Sequence, residues 1–384
     1  MIPNSSLSRR ILYAESLSVE IIERGKVQNS MWTLDNIMQL AKQFRASDIH
    51  LVHGLSPVFR IHGEIRSAKG APLSRENLWT ILREVATEKH IESFEKNQRL
   101  CFSTTREGTG RFRVSVYYHA LIPEMSVRIC ETRIRSLEEL GLPQVIEDFA
   151  RFPYGLVLVT GPTGTGKTTT LNVMVDIVNQ EQRKKIVMIE DPVEYIHRNV
   201  KSVVIQQEVL TDTPSFQDAL LGVLRQDPDV IVIGEMRSLE TIETALTAAE
   251  TGHLVFATLH TPDSVQTIQR IQMAFPTSQQ NMINMQLANS LQAIISQRLL
   301  PRADGKGRVL AYEVCIANYS IRNKIRERNT HQIYSDILMG SRNKMRLMDD
   351  TLRELYERGD ITYDMAVGNA REPKLLTRTR DTAD

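Results

Sequence analysis

A short glycine-rich segment constrains this chain more than any other feature. Residues 161–168 read Gly-Pro-Thr-Gly-Thr-Gly-Lys-Thr and fit the pattern G-x-x-x-x-G-K-S/T. The apolar run 156–160 before it has the length of a strand, and a helical pattern follows it. Because glycines let successive N–H groups turn towards an anion and a helix N-terminus adds its dipole, the segment predicts a phosphate-binding loop.

The loop predicts a nucleoside triphosphate as the ligand. In such loops the lysine reaches the β- and γ-phosphates and the following hydroxyl holds Mg²⁺, roles that fall here on Lys167 and Thr168. The residues expected to contact the nucleotide are Gly161, Pro162, Thr163, Gly164, Thr165, Gly166, Lys167, Thr168 and Thr169.

Around the loop, short apolar runs alternate with helical patterns. The expected strands are 155–160, 186–190, 229–234 and 254–260, and the expected helices are 167–179, 214–226, 238–251 and 264–275. Continuous apolar strands are buried on both faces, as in a parallel sheet covered by crossover helices. The predicted fold class is therefore α/β, with residues 278–370 mostly helical.

Carboxylates follow two of these strands. Glu235 ends the run 229–234, and Glu190 and Glu194 follow the run 186–189. Because the carboxyl ends of parallel strands meet at one edge, these groups are expected near the phosphate loop, where carboxylates hold Mg²⁺ through water or orient an attacking water. Solvated acidic loops are the alternative interpretation.

Two histidines, His253 and His260, bracket the apolar run 254–259. On spacing alone a packed or surface histidine is the more frequent case, and a functional role is the alternative. Metal binding by this pair is weakly supported, since no cysteine or second carboxylate shares their spacing.

The N-terminal part has a different sequence pattern, with short alternating strands in place of continuous apolar runs. Thr33 is a plausible N-cap for a helix, and short alternating strands follow, so residues 33–135 are expected to form an α+β domain. We expect residues 1–32 to be an extension, 136–152 a linker, 153–370 the α/β domain and 371–384 a flexible tail.

In the strand 111–116, Arg111 and Arg113 share one face, and Arg128 lies on the polar face of the next strand. An ordinary solvated strand face would look the same.

Composition excludes several classes of protein. Lys plus Arg number 47 and Asp plus Glu 46, so the net charge of +1 argues against stable nucleic-acid binding through a uniform positive field. The three cysteines have no paired spacing, which fits a reducing compartment. The apolar runs are far shorter than the ~20 residues of a membrane helix, and Glu15 and Glu20 interrupt the segment after the arginine pair at 9–10. We expect a cytoplasmic protein without a signal peptide.

Several blocks in a fixed order carry a family likeness. They are the phosphate loop, Ile-Glu-Asp-Pro-Val-Glu at 189–194, Gly-Glu-Met-Arg at 234–237, Ala-Glu-Thr-Gly-His at 249–253 and Ala-Thr-Leu-His at 257–260. Over residues 33–370 the chain resembles the retraction ATPases of type IV pili, the twitching-motility PilT group of the type II/IV secretion ATPase superfamily.

The resemblance implies a PAS-like N-terminal domain, a RecA-like ATPase domain with a helical C-terminal part, and a ring-shaped homohexamer with ATP between the domains and next to a neighbouring subunit. Glu235 falls on the Walker-B glutamate, which binds Mg²⁺ or positions water, and Glu194 on the glutamate of the Asp box, with Glu190 beside it. His253 and His260 fall on the His box, whose implied role is to sense the γ-phosphate. The family's charge-stabilising arginine is assigned first to Arg113, then to Arg111 and Arg128.

Two features favour retraction within the superfamily. The four-cysteine zinc insertion of assembly and export ATPases is absent, since only Cys315 lies in the ATPase region, and Ser-Ile-Arg-Asn-Lys-Ile-Arg-Glu at 320–327 is similar to the segment typical of retraction ATPases. Lys324 and Ser238 depart from the leucine and aspartate usual in the family.

The implied function is an ATP-driven motor for pilus retraction. Its implied partner is an inner-membrane platform protein at the pilus base, reached from the cytoplasmic face without insertion into the membrane. A secretion, conjugation or pilus-extension ATPase, a non-hydrolysing regulatory paralogue and a DNA translocase remain alternatives.

Overall fold

The computed structural model describes residues 32–376 except 108–109 and 131–132. Residues 1–31 and 377–384, which hold most of the expected extension and tail, lie outside this description. The chain divides into two compact units. The first contains the described residues before Arg133 together with Pro192–Glu194, and the second contains Arg133–Asp191 and the described residues from Tyr195 onwards.

The first unit is an antiparallel sheet with three helices. Its elements are α1 (Leu34–Gln43), β1 (Asp48–Leu51), β2 (Val58–Ile61), β3 (Glu64–Ser67), α2 (Arg75–Val85), α3 (Glu88–Asn97), β4 (Arg99–Arg106), β5 (Gly110–His119) and β6 (Ile122–Cys130). The strand order is β3-β2-β1-β6-β5-β4. Thr33 caps α1 by accepting from the N–H of Asn36, which confirms the predicted helix start.

The second unit is a seven-stranded sheet covered by helices. Its elements up to the last central strand are α4 (Leu137–Leu140), α5 (Val145–Ala150), β7 (Gly155–Thr160), α6 (Lys167–Glu181), β8 (Lys185–Glu190), β9 (Val203–Glu208), α7 (Phe216–Val223), β10 (Val230–Ile233), α8 (Leu239–Glu250) and β11 (Leu254–Leu259). The remainder comprises α9 (Ser264–Met273), α10 (Gln280–Ser290), β12 (Leu291–Pro301), β13 (Arg308–Ile316), α11 (Tyr319–Arg326), α12 (Ile333–Met339), α13 (Met348–Glu357) and α14 (Tyr363–Asn369). Short 3₁₀ turns lie at Thr330–Gln332, Gly340–Asn343 and Pro373–Leu375.

The strand order is β13-β12-β7-β11-β10-β8-β9, parallel throughout except for the antiparallel edge strand β13. Along β7, Leu156 and Leu158 pack into one core while Val157 and Val159 pack into the other. Both faces of the strand are therefore buried, as its continuous apolar composition predicted.

The expectation that the chain turns mostly helical at residue 278 is wrong for 291–316, which form β12 and β13. Helix α10 runs directly into β12, with Leu291 already extended. An apolar run without a turn signal does not distinguish a buried strand from a buried helix. The sequence pattern also does not predict strand β9.

Among the described residues, the structure contains no helix with the length and apolar character needed to span a membrane.

Candidate nucleotide-binding site

The glycine-rich loop joins the carboxyl end of β7 to the start of α6. Gly161 has φ +141° and Gly166 has φ +90°, conformations that favour glycine. A Cβ on Gly161 would lie 2.3 Å from the carbonyl oxygen of Gln297 on β12, so only glycine fits against that strand. The loop thus has the tight turn and the helix N-terminus that phosphate binding requires.

The ammonium group of Lys167 is buried inside this loop. Its Nζ donates to the carbonyl oxygens of Gly161 at 2.8 Å and Pro162 at 3.0 Å, and lies 3.2 Å from Nδ1 of His260. Burial lowers the pKa of Lys167, and the negative charge of Glu235 acts in the opposite direction. The amine is held where a phosphate on the loop would meet it.

Glu235 and His260 extend this chain of contacts. Nε2 of His260 lies 2.8 Å from Oε1 of Glu235, and Nη2 of Arg237 lies 2.8 Å from the other oxygen, Oε2. Burial opposes ionisation of Glu235, but the hydrogen bonds and charges of Arg237 and His260 outweigh it and lower the pKa of the carboxyl. Lys167, His260 and Glu235 therefore form one continuous polar chain in the second unit.

Glu190 lies at the same sheet edge but has a different partner. It ends β8, next to β10, and the N–H of Gly234 donates to the carbonyl of Ile189 at 2.9 Å. Its carboxylate is buried and accepts a hydrogen bond from Nε2 of Gln206 at 2.9 Å. Glu190 is thus positioned by β9, a strand that the sequence did not indicate.

His253 does not join the loop within this chain. Strand β11 pairs with β7 so that Leu254 is opposite Gly155 and Leu259 is opposite Thr160. His253 therefore precedes the amino end of β11 and His260 follows its carboxyl end, about 23 Å apart at ~3.3 Å per residue. Nδ1 of His253 contacts the Ala248 carbonyl at 3.0 Å instead. The structure brings only His260 to Lys167 and Glu235.

The three predicted arginines lie in the first unit. Nη1 of Arg113 lies 3.3 Å from Oε1 of Glu194, and Nε of Arg111 donates to the Val193 carbonyl at 2.8 Å. Arg128 is opposite Arg113 in the sheet, and its Nε donates to Asp48 at 2.8 Å. Arg111 and Arg113 therefore both contact the segment 192–194, whereas Arg128 pairs with a different carboxylate.

Sequence reasoning assigned no role to several side chains around the loop. Ser296 and Gln297 on β12 bond Thr160 and Thr170 on either side of the loop, each at 2.8 Å, and Arg308 on β13 donates to the Gly164 carbonyl at 3.2 Å. The signal was the Ser-Gln-Arg triplet at 296–298 inside an otherwise apolar run, 293–300, because buried polar side chains need partners. Arg237 carried a weaker signal, two residues after Glu235.

The donor set fits a magnesium nucleotide. The described residues contain no cluster of three or more His, Cys, Asp or Glu side chains able to hold a metal ion unaided. Mg²⁺ in such sites takes one or two protein oxygens, several waters and the phosphates of the nucleotide. The Thr168 hydroxyl and the carboxylate of Glu235 are protein oxygens of the kind that such a site uses.

In this sheet, one parallel strand leads into a glycine-rich loop and then into a helix that begins at a lysine. An ionised carboxylate follows a neighbouring strand. This combination is characteristic of the P-loop nucleotide-binding proteins. The chain belongs to the type II/IV secretion system protein family, whose model matches residues 24–366.

Two relatives are similar over most of their length. The type IV pilus retraction ATPase PilT of Pseudomonas aeruginosa is 41% identical over 86% of this chain and 95% of its own. The twitching motility protein of Neisseria gonorrhoeae is 40% identical over 84% of this chain and 86% of its own. A crystal structure of the pilus retraction motor PilT with bound ADP matches with a TM-score of 0.84 and 45% identity, over 91% of this chain and 100% of that one.

Proposed function

We propose that this protein is an ATP-hydrolysing motor that powers type IV pilus retraction. The observation that carries the proposal is the polar chain from Lys167 through His260 to Glu235 at the phosphate loop. The likeness to PilT along almost the whole of that relative supports retraction as the task. ATP with Mg²⁺ is the proposed ligand, as the ADP in the related crystal structure suggests.

In this mechanism each residue has a defined task. The loop N–H groups and Lys167 bind the phosphates, and the Thr168 hydroxyl and Glu235 hold Mg²⁺, which neutralises phosphate charge when bound. Glu235 also orients the attacking water. His260 contacts both Lys167 and Glu235. Loss of the γ-phosphate therefore changes the hydrogen bonds of His260, and with them the conformation of the loop that follows β11.

We also propose the finer organisation that the family likeness implies. Residues 33–135 are proposed as a PAS-like domain, 136–152 as a linker and 153–370 as a RecA-like ATPase domain, flanked by the extension 1–32 and the tail 371–384. The antiparallel and parallel sheets support this division. Glu190, Glu194, His253, Arg113, Arg111 and Arg128 are kept as proposed functional residues.

The proposed assembly is a homohexamer on the cytoplasmic face of the inner membrane. Its proposed partner is the platform protein at the pilus base, contacted peripherally. Resemblance to the family supports these assignments.

Two variants test the enzyme. Lys167→Ala and Glu235→Gln are each expected to lower ATP turnover by about 10²-fold or more, because each removes a charge from the phosphate site. Lys306→Ala and Glu243→Gln, at positions outside the site, are the matched controls and should retain wild-type turnover. No turnover by the wild-type protein would reject the motor and favour a non-hydrolysing regulatory paralogue, and strong stimulation by DNA would favour a translocase.

A deletion strain tests the task. If the motor retracts pili, cells lacking the protein keep surface pili but lose twitching. Loss of the pili would reject retraction and favour an extension ATPase.

A further inference from the structure

A pair of buried polar residues lies directly behind the first turn of α6. Nδ2 of Asn172 donates to the carbonyl of Thr168 at 2.8 Å, and its Oδ1 lies 2.7 Å from Nε2 of His197. Because the amide nitrogen of Asn172 is used by Thr168, its oxygen accepts, and the proton of His197 is on Nε2. The orientation of the histidine ring thus fixes the amide that contacts Thr168.

His197 is itself held by strand β9. Its backbone N–H donates to Oε1 of Gln206 at 2.9 Å, and Nε2 of the same Gln206 donates to the Tyr195 carbonyl at 2.7 Å and to Glu190 at 2.9 Å. The hydroxyl of Tyr195 lies 3.4 Å from that of Thr169. One glutamine therefore joins β8, β9 and the segment 195–197 that rests on α6.

His197 is neutral at ordinary pH. Its ring is buried, and Nδ1 has no hydrogen-bond partner among the described residues. Burial lowers the pKa of His197 to about 4, because it disfavours the charged imidazolium form. The tautomer that donates to Asn172 is therefore maintained at pH values well above 4.

From this geometry we infer that Asn172 and His197 are positioning residues for the magnesium–nucleotide site, acting through the backbone of Thr168. Neither residue is placed to touch the nucleotide in the proposed mechanism. Mutation of a residue that orients a ligand of a metal typically lowers metal affinity or activity by about 10–100-fold. The inference rests on the proposed function only in taking Thr168 as the residue whose hydroxyl meets Mg²⁺.

The same helix supplies a matched control. Asn179 lies seven residues after Asn172 and is equally buried, each residue being 1% exposed. Nδ2 of Asn179 donates to the Arg198 carbonyl at 2.7 Å, and Oδ1 accepts from the N–H of Val200 at 3.1 Å. Asn179 thus anchors the same connection to the same helix, about two turns further from the phosphate loop.

The experiment uses the full chain and a fluorescent ADP analogue. Its Kd is measured by anisotropy in EDTA and across a Mg²⁺ titration, for the wild type, Asn172→Ala, His197→Phe, His197→Gln and Asn179→Ala, with Tm measured in parallel. Glutamine places an amide donor near the position of Nε2, so His197→Gln is the conservative rescue.

In Asn172→Ala and His197→Phe, the Mg²⁺ concentration that half-maximally tightens binding should rise about tenfold, with little change of Kd in EDTA. His197→Gln should keep the wild-type midpoint. Asn179→Ala should lower Tm while leaving the Mg²⁺ midpoint unchanged. If Asn172→Ala does not fold, His197→Phe carries the same test.

A wild-type Mg²⁺ midpoint in Asn172→Ala and His197→Phe would overturn the inference. An equal shift in Asn179→Ala would also overturn it, because general loosening of α6 would then explain the effect. Binding does not require turnover, so a wild-type protein that binds ADP with Mg²⁺ but hydrolyses no ATP would reject only the proposed motor.

Discussion

Individual residues of the phosphate loop are held both by their own loop and by elements distant in the chain. Lys167 is held by carbonyl oxygens of its own loop and by His260, and Gly161 is pressed against β12. The motif itself predicted the lysine and the glycines. The close approach of Gln297 to Gly161 joins residues far apart in the chain and could not be read from the motif.

Gly161→Ala is expected to destabilise the protein and weaken nucleotide binding. Its φ of +141° costs an alanine about 1–3 kcal/mol, and the contact with the Gln297 carbonyl adds a clash that requires the strand to move. Gly252→Ala is the control, because Gly252 also has a positive φ of +105° but nothing lies within 4 Å of its Cβ position. Thermal melts should show a larger loss for Gly161→Ala, and equal losses would contradict the close packing.

His197 predicts a pH dependence of stability. The pKa of this histidine is about 4 in the folded chain against an ordinary 6.5. Between pH 6.5 and 4 it is therefore protonated in the unfolded chain but mostly neutral in the folded chain, so the unfolded chain binds more protons. Stability should therefore fall as pH falls from 6.5 towards 4, by at most ~3 kcal/mol, with no contribution from this group above that window. Urea unfolding should show a shallower decline for His197→Gln over the same range, and parallel curves would exclude the effect.

Among the helices and strands, β7, β8, β10 and β11 follow from their apolar runs, whereas β9, β12 and β13 do not. Helices α11 and α12 pack apolar residues into the core of the second unit and also share a charged pair. Helices α11 and α12 are joined by Lys324 and Asp336, whose Nζ and Oδ1 lie 2.6 Å apart with side chains 18% and 11% exposed. Ser320 also contacts Asp336 at 3.2 Å. The lysine that departs from the family leucine thus has a carboxylate partner on the next helix.

Asp336→Leu alone is expected to lower the free energy of unfolding by about 3 kcal/mol, since it leaves the Lys324 ammonium mostly buried without its partner. The double variant Lys324→Leu/Asp336→Leu should recover most of that loss, because two apolar side chains replace the pair. Chemical denaturation of both variants makes the comparison. A double variant that is less stable than the single one would show that the ion pair itself stabilises the α11–α12 contact.

Across the chain as a whole, the near-equal counts of 47 basic and 46 acidic residues hide local segregation of charge. Arg111 and Arg113 meet the segment 192–194 in the first unit, while Lys167, His260 and Glu235 lie together in the second. The net charge of the chain therefore gave no indication of either group of charged residues.

The proposed hexamer predicts a particle of six copies of the 43.7 kDa chain. Light scattering with Mg²⁺ and a non-hydrolysable ATP analogue measures the mass directly. Lys167→Ala, which weakens the phosphate contacts, should shift the distribution towards smaller species if nucleotide stabilises the ring. A monomer at all nucleotide concentrations would reject the hexamer.

Local sequence was enough to predict the phosphate loop, the apolar strands β7, β8, β10 and β11, and the carboxylate that follows β10, because each depends on neighbouring residues in the chain. Three further features emerged only from the folded chain: β12 lies beside β7, His260 but not His253 reaches Lys167, and Asn172 meets His197 behind the loop. These depend on strand order and direction, which place residues distant in the chain side by side and residues close in the chain at opposite edges of the sheet.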